Sequence, residues 1–278
     1  MSTTAQEQPV SAVDYHGQTT LITGASAGIG VEFARRIAQR GSHVVLVARR
    51  RERLEKLAAE LTAAHGIRAT AIPLDLSLPA AGQALAEETA RRGLSVTSVV
   101  NNAGFGTFGP FHTEDPRRLS EEISVDVANV VDITRAFIEP LRASGTGVLV
   151  NVASMAAYLP VPNMAVYAAA KAFVLHFTEA LWHESRGTGL RVLALSPGAT
   201  DTEFFDVVGT DGADGGTRRQ SPQEVVATAL RTLDRRTPPP SVISGRLNRV
   251  MASLGRASSR RRAVMMMGAT TTAPDPAR

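Results

Sequence analysis

One tyrosine and one lysine stand four residues apart in an alanine-rich stretch, Tyr167 and Lys171 in NMAVYAAAKAF. Alanine favours helix, and on a helix that spacing puts both side chains on one face, one turn apart. A phenol in water gives up its proton only near pH ~10. A neighbouring cation favours the tyrosinate and lowers that value. The pair is therefore a candidate acid–base couple, its ordinary alternative being a packed tyrosine beside a solvated lysine. The 278 residues contain no cysteine, so this sequence offers no thiolate nucleophile, disulfide or Cys-ligated metal, and no metal site is expected.

Such a couple needs a rigid mount. The runs TTLITG, HVVLVA, RATAIPL, VTSVVNN, GVLVNVA and LRVLALS are nearly continuous in apolar residues and read as buried strands. They alternate with helical stretches such as VEFARRIAQR and RERLEKLAAELTAAH. This alternation predicts an α/β fold: a single-domain Rossmann-type doubly wound parallel sheet flanked by helices, with a C-terminal helical extension. Residues 1–17 are expected to be a disordered N-terminal segment. Residues 18–245 are expected to form a dinucleotide-binding catalytic domain, and 246–278 a basic helix with a disordered tail. In such a sheet, ligands bind at the carboxyl ends of the strands.

The motifs fall there. TTLITGASAGIG runs from the first strand into the first helix with Gly24, Gly28 and Gly30, and with Ser26, Ala27 and Ile29 between and beside them. Glycines let backbone approach a pyrophosphate, and the helix N-terminus offers free N–H groups and the positive end of a dipole. The second strand ends in VARRRERL. Where an acidic residue would hold a ribose 2′-hydroxyl, Arg49 and Arg50 suit a 2′-phosphate by charge-assisted hydrogen bonding. NADP(H) is therefore expected to be preferred over NAD(H); the plainer alternative is that these arginines open the next helix in solvent.

TGASAGIG at Thr23–Gly30, NNAG at Asn101–Gly104, Ser154, YAAAK at Tyr167–Lys171 and PGATDT at Pro197–Thr202 occur in the order and spacing of one family. The chain resembles a short-chain dehydrogenase/reductase over residues 18 to 235. The resemblance implies an oxidoreductase that interconverts a hydrophobic ketone or aldehyde and its alcohol by hydride transfer. It implies Tyr167 as general acid/base, Lys171 as its cation and a ligand of the nicotinamide ribose, and Ser154 on the substrate oxygen. Asp75 and Leu76 resemble the residues at the adenine. Asn101, Asn102, Ala103 and Gly104 would line the adenosine side, and Pro197, Gly198, Thr200 and Thr202 would meet the carboxamide and phosphates. Ser26 would add a bond to the 2′-phosphate. One place departs from the pattern: the asparagine of the family's proton relay falls on Asp126 in SVDVANVV, and Asn129 lies about one turn out of register. Asp126 joins the expected catalytic set. The same substitution marks the second reading, a catalytically weak NADP(H)-binding sensor or scaffold.

Phe105, Phe108, Met155, Tyr158, Phe204 and Phe205 are expected to wall an apolar substrate pocket around Ser154. TEFFDVVGTDGADGGTRRQ reads as a lid. In the family, helices corresponding to 115–141 and 163–185 pack across a two-fold axis, and Phe173, Phe177, Leu181 and Trp182 recur at helical spacing, so a homodimer or homotetramer is expected. The net charge is +4, but the segment Ser241–Arg278 carries seven Arg and one Asp, or +6, leaving 4 − 6 = −2 for the first 240 residues. The body therefore offers no basic face for nucleic acid. In GRLNRVMASLGRASSRRRAVMMMG, Leu247, Val250, Met251 and Leu254 form an apolar stripe beside Arg246, Arg249 and Arg256, ahead of Arg260–Arg262. Such a helix either lies on an anionic membrane or closes the pocket or packs on a second subunit. No secretory leader and no membrane-length apolar run are visible, so a cytoplasmic location is expected.

Overall fold

Seven parallel strands form one sheet in the order β3-β2-β1-β4-β5-β6-β7. They are β1 Thr19–Thr23, β2 His43–Ala48, β3 Ala69–Pro73, β4 Ser98–Asn101, β5 Val148–Val152, β6 Arg191–Ser196 and β7 Ser241–Ile243. This computed structural model describes residues 12–214 and 216–271. The central strands TTLIT, SVVN and VLVNV are buried along their whole length, their Thr, Ser and Asn residues included. The order reverses between β1 and β4, so a crevice opens there beyond the strand ends.

Helices cover both faces. On one side α1 Gly28–Gln39, α2 Arg51–His65 and α8 Pro222–Leu233 set Phe33, Leu54 and Val225 against Ile22, Leu46 and Val150. On the other, α3 Ala81–Arg91 and α5 Asn129–Ser144 set Leu85, Ile133 and Phe137 against Leu21, Val45 and Leu149. Each such side chain stabilises the fold by ~1.5–3 kcal/mol when fully buried. Removing Phe33 to Ala would cost ~3–5 kcal/mol. The remaining helices are α4 Pro116–Ile123, α6 Ala165–Glu184, α7 Phe204–Val208, α9 Arg246–Ala257 and α10 Arg260–Thr270.

Local signals explain the boundaries near the site. Asp115 caps α4 by accepting the Arg117 N–H, with proline at the first helical position. Ser221 and Glu224 close a reciprocal capping box at α8. Between α4 and α5 the chain makes one π turn, Ser124–Ala128, in which the Asn129 N–H reaches back five residues to the Ser124 carbonyl. The Asn129 side chain donates to the Ser124 and Leu76 carbonyls. It therefore anchors the α5 N-terminus to the strand-end loop and plays no part at the reaction centre.

Three expectations about extent are corrected. The packed domain begins before residue 18: Val13 and Tyr15 are buried, the Val13 N–H donates to Asp234 at 3.2 Å, and Arg40 lies over the Tyr15 ring. Residues 1–11 lie outside the described residues. The C-terminal stretch is two helices, broken at Ser258 and Ser259, where the Ser259 hydroxyl caps α10. Gly255 does not interrupt α9: a Cβ there would meet the Leu159 side chain, so its absence lets the helix close on the body. The expected disordered tail starts too early, because α10 runs to Thr270 and Thr271 is buried, its carbonyl accepting from Asn163. The rest of that tail, residues 272–278, lies outside the described residues. The edge strand β7 was not expected, being only three residues after a proline run.

Candidate active site

The crevice is built from the end of β1 outward. The Thr23 hydroxyl accepts the N–H groups of Asn102 and Ala103 at 2.9 and 3.0 Å, and the Asn102 amide donates to the Thr23 carbonyl at 3.0 Å. These bonds lock the β4 loop to the glycine turn. A Cβ on Gly30 would collide with the Gly24 carbonyl, so only glycine lets α1 start so close to β1. The α1 N-terminus carries no side-chain cap and no acidic residue in its first turn. Its N–H groups and positive dipole end face the crevice free of protein anions.

A cavity of about 530 Å³ runs from this turn past Arg49, Asp75 and Leu76 to Tyr167 and Pro197. Ser26, Ala27, Gly28, Ile29, Asn102, Ala103, Gly104, Gly198, Thr200 and Thr202 also line it, so most of the expected cofactor set converges. Asp75 accepts both the N–H and the hydroxyl of Ser77 on Oδ1. The backbone bond first, despite partial burial, holds its carboxyl below the usual range. Arg50 donates to the Ser26 hydroxyl at 2.9 Å and pairs with Glu203 at 2.6 Å. Asn101 is a correction. It is buried beneath the cavity floor, where its amide donates to Asn151 and Thr134 and ties β4 to β5 and α5. Gly30 likewise acts by packing rather than by lining.

At the inner end the expected catalytic set meets. Ser154 lies two residues beyond β5; its side chain accepts the Ala156 N–H at 3.1 Å and lies beside the Tyr167 hydroxyl. Lys171, 4% exposed, donates to the Val152 carbonyl at 3.3 Å and lies 5.6 Å from the Tyr167 ring centre. Its ion-pair partner is Asp126, 0% exposed, with Oδ2 at 3.5 Å. The π turn delivers Asp126 to α6, and Oδ1 accepts the Phe105 N–H at 3.3 Å. A Cβ on Gly104 would sit 2.6 Å from Asp126 Oδ1 and 2.9 Å from Lys171 Nζ, so glycine there leaves the pair its space.

This geometry corrects the expected tuning of the phenol. The charge of Lys171 is opposed by Asp126 instead of acting on Tyr167 alone. Burial first, then the charges of Asp126 and, less strongly, Glu122, hold the Tyr167 hydroxyl above its ordinary range; Ser154 opposes them. Burial raises Asp126 to about 6 against the pull of Lys171.

The pocket walls also differ in part. Phe105, Met155, Phe204 and Phe205 line the cavity, and the Phe204 ring packs 5.4 Å from that of Tyr167. Tyr158 does not: it faces a second cavity under α10, and its hydroxyl accepts from Ser196 at 3.4 Å. Phe108 packs with Met164, Val161 and Phe204 behind the wall. The segment after α7 lines the cavity through Ala213, Asp214 and Thr217. Sequence reasoning missed Glu203, which lines the cavity, and Glu122, buried behind it; the C-terminal helix that closes the pocket was one of its readings, and the roof is formed by Asn248 and Met251 of α9 with Met266 and Met267 of α10. The four-residue spacing of Glu122 and Asp126, matching that of Tyr167 and Lys171, was the available signal for the second.

A family model described as short chain dehydrogenase matches residues 18–212. The chain is 37% identical over 186 residues to sulfoacetaldehyde reductase 2 of Chromohalobacter salexigens, covering 66% of this chain and 73% of that one. Three mycobacterial relatives matching 71% of this chain are longer, and the match covers 34% of their length. Among solved structures, one from a study of 7beta-hydroxysteroid dehydrogenase stereoselectivity superposes with TM-score 0.81 at 27% identity, covering 93% of this chain and 99% of that one. A short-chain dehydrogenase from Sphingobium yanoikuyae in complex with NADPH gives TM-score 0.77 at 32% identity, with the same coverage. The glycine turn, the Ser154–Tyr167–Lys171 cluster and these matches agree: the chain belongs to the short-chain dehydrogenase family of oxidoreductases.

Proposed function

We propose that the protein is an NADP(H)-dependent carbonyl reductase acting on an apolar ketone or aldehyde. The observation that carries this is a Tyr167 hydroxyl beside Ser154, one turn from a buried Lys171, in a cavity continuous with the glycine turn. The donor set fits a nicotinamide dinucleotide. The uncapped α1 N-terminus suits a pyrophosphate, Asp75 an adenine amino group, Lys171 a ribose hydroxyl, and Arg49, Arg50 and Ser26 a 2′-phosphate. When bound, the dinucleotide supplies the hydride that reaches the carbonyl carbon. The Ser154 hydroxyl donates to the carbonyl oxygen and polarises it. Tyr167, kept protonated by its surroundings, gives its proton to that oxygen as negative charge develops there. Phe105, Met155, Phe204 and the methionine roof exclude water and select apolar substituents.

The test is NADPH oxidation with a panel of apolar ketones and aldehydes, acetophenone and decanal among them, by the unmutated protein and by Tyr167→Phe. General acid–base catalysis contributes roughly 10²–10⁴-fold. Tyr167→Phe retaining over a tenth of turnover would refute the assignment. NADPH binding without turnover on any substrate would favour the sensor reading.

The partners follow from two surfaces. Phe173 of α6 is exposed and stacks on Phe177, whereas Leu181 and Trp182 pack on the protein's own core. The α5–α6 face is read as the seat of a homodimer, which light scattering tests. On α9, Leu247, Val250 and Leu254 project outward from the roof. Residues 235–274 contain eight Arg and no acidic residue. Among the described residues no helix is long and apolar enough to cross a membrane. Peripheral contact with an anionic bilayer, delivering apolar substrate beneath the roof, fits this face.

A further inference from the structure

Behind the Asp126–Lys171 pair lies a carboxyl that the reaction described above does not use. Glu122, in the last turn of α4, is 0% exposed. Its Oε2 accepts the Thr107 hydroxyl at 2.9 Å. Its Oε1 and Asp126 Oδ2 make no hydrogen bond. Two buried carboxyls thus share the field of one buried cation. Were both ionised, the site would hold an uncompensated negative charge away from water, which buried groups avoid by retaining a proton. The charge of Asp126 acts on Glu122 to favour its protonated form.

We propose that Glu122 is a positioning residue for the reaction, a second buried carboxyl that sets the charge on the Asp126–Lys171 pair and, through it, how tightly Tyr167 holds its proton. This rests on the reading of Tyr167 as the acid/base group. All the charged or titratable groups that face Glu122 take part: Asp126 from the π turn, Lys171 and Tyr167 from α6, and the Thr107 hydroxyl from the loop after β4. Arg118 and Glu121, on its own helix, face the cavity mouth instead.

The sign follows from burial and charge. Burial, reinforced by Asp126 and opposed by Thr107 and Lys171, raises Glu122 to about 7. Between about 6 and about 7 Glu122 is neutral, Asp126 is the sole carboxylate, and one anion faces one cation. Above that range, a second anion arrives and makes the tyrosinate harder to form. Reduction, which leaves the tyrosinate behind, and alcohol oxidation, which starts from it, are therefore both restrained as pH rises.

The test is Glu122→Gln, which fixes the neutral form, with Thr107→Val as the second variant. Infrared difference spectra read the proton directly. The unmutated protein should show a buried carboxylic acid carbonyl band that disappears as pH rises through about 7. That band should be absent in Glu122→Gln, present in Tyr167→Phe and displaced to higher pH in Thr107→Val, where the carboxylate has lost its donor. Oxidation of 1-phenylethanol with NADP⁺ should match the unmutated rate at pH 5.5 and exceed it severalfold at pH 8.5 in Glu122→Gln. A band that does not titrate near neutrality, or rate ratios for Glu122→Gln that do not vary with pH, overturns the proposal. Retained turnover in Tyr167→Phe refutes the underlying reading instead.

Discussion

Glu203, immediately before α7, holds two guanidiniums at once, Arg50 Nη1 at 2.6 Å and Arg53 Nη1 at 2.5 Å. It thereby ties the segment after the PGATDT motif to the start of α2 across the mouth of the cofactor cleft. Arg53 first, then Arg50, hold its carboxyl below the ordinary range. All three side chains are partly solvated, at 41–51% exposure. Pairs this exposed stabilise by only ~0.2–1 kcal/mol each, so the two together hold the latch by ~0.5–2 kcal/mol. A 2′-phosphate that engages Arg50 must take it from Glu203. Glu203→Gln removes that competitor for Arg50, a single pair of ~0.2–1 kcal/mol, and NADPH should bind up to about 5-fold more tightly, since ~1.4 kcal/mol is tenfold. NADH lacks the 2′-phosphate and should change less than about twofold. Fluorescence titration with both nucleotides, at low salt and near ~1 M salt where the screening length falls to ~3 Å, reads the difference. The NADPH gain should shrink at high salt. An equal gain for NADH, or a loss for NADPH, would refute the competition and leave Glu203 a purely structural clamp.

The other predictions concern the buried charges and the roof. Glu122 is protonated more tightly in the folded state, about 7 against 4.5 for the free side chain, so its contribution to stability is fully present below pH ~4.5 and lost as pH rises through ~7. The loss approaches ~3 kcal/mol. Melting temperatures of Glu122→Gln and the unmutated protein should coincide near pH 5 and diverge in favour of the variant by pH 8; a constant gap would contradict the linkage. Gly104→Ala pushes a methyl into the Asp126–Lys171 pair and should cost ~1–3 kcal/mol in stability and at least ~10-fold in turnover, with thermal melting and NADPH oxidation as the measurements. At the C-terminus, the intact protein should co-sediment with anionic vesicles and not with neutral ones, and release as salt rises. Serine at Leu247, Val250 and Leu254 should abolish that binding with the fold retained, and an intact protein that stays in the supernatant at low salt disproves the contact.

The sheet was legible because six of its strands are short runs nearly continuous in apolar and β-branched residues. β7 was not, because Ser241–Ile243 is an edge strand whose pairing to β6 alone defines it. The Tyr167–Lys171 couple was legible because helical spacing is local. Its electrostatics were not, because the partner of Lys171 is chosen by how the π turn packs on α6. Nothing local marks EEISVD as buried: its Glu and Ser residues read as a solvated helix face until α6 covers it. Asn101 was misplaced for a related reason. Motif membership put it at the cofactor, whereas strand alternation turns its side chain under the floor toward Asn151. The roof was half legible. The stripe of Leu247, Val250, Met251 and Leu254 was visible, but not that Met251 turns inward while Leu247 remains exposed.

A cation beside a phenol can act in two opposite ways, and the π turn decides between them here. Left to itself, a buried Lys171 would draw the phenol toward the tyrosinate. A neutral asparagine at position 126, as the family usually carries, would leave that field intact. The extra residue in the Ser124–Ala128 turn rotates Asp126 onto α6, and its carboxylate opposes most of the lysine's field within 3.5 Å. Coulomb attraction at that distance, with an effective dielectric near 20, is of order ~5 kcal/mol, enough to outweigh the modest gain from a longer lysine–phenol contact. What remains at Tyr167 is a neutral, firmly protonated phenol. On the proposed reading, Asp126 sets how strongly Tyr167 holds the proton that it passes to and from the substrate oxygen, and Glu122 behind it adds a second charge as pH rises.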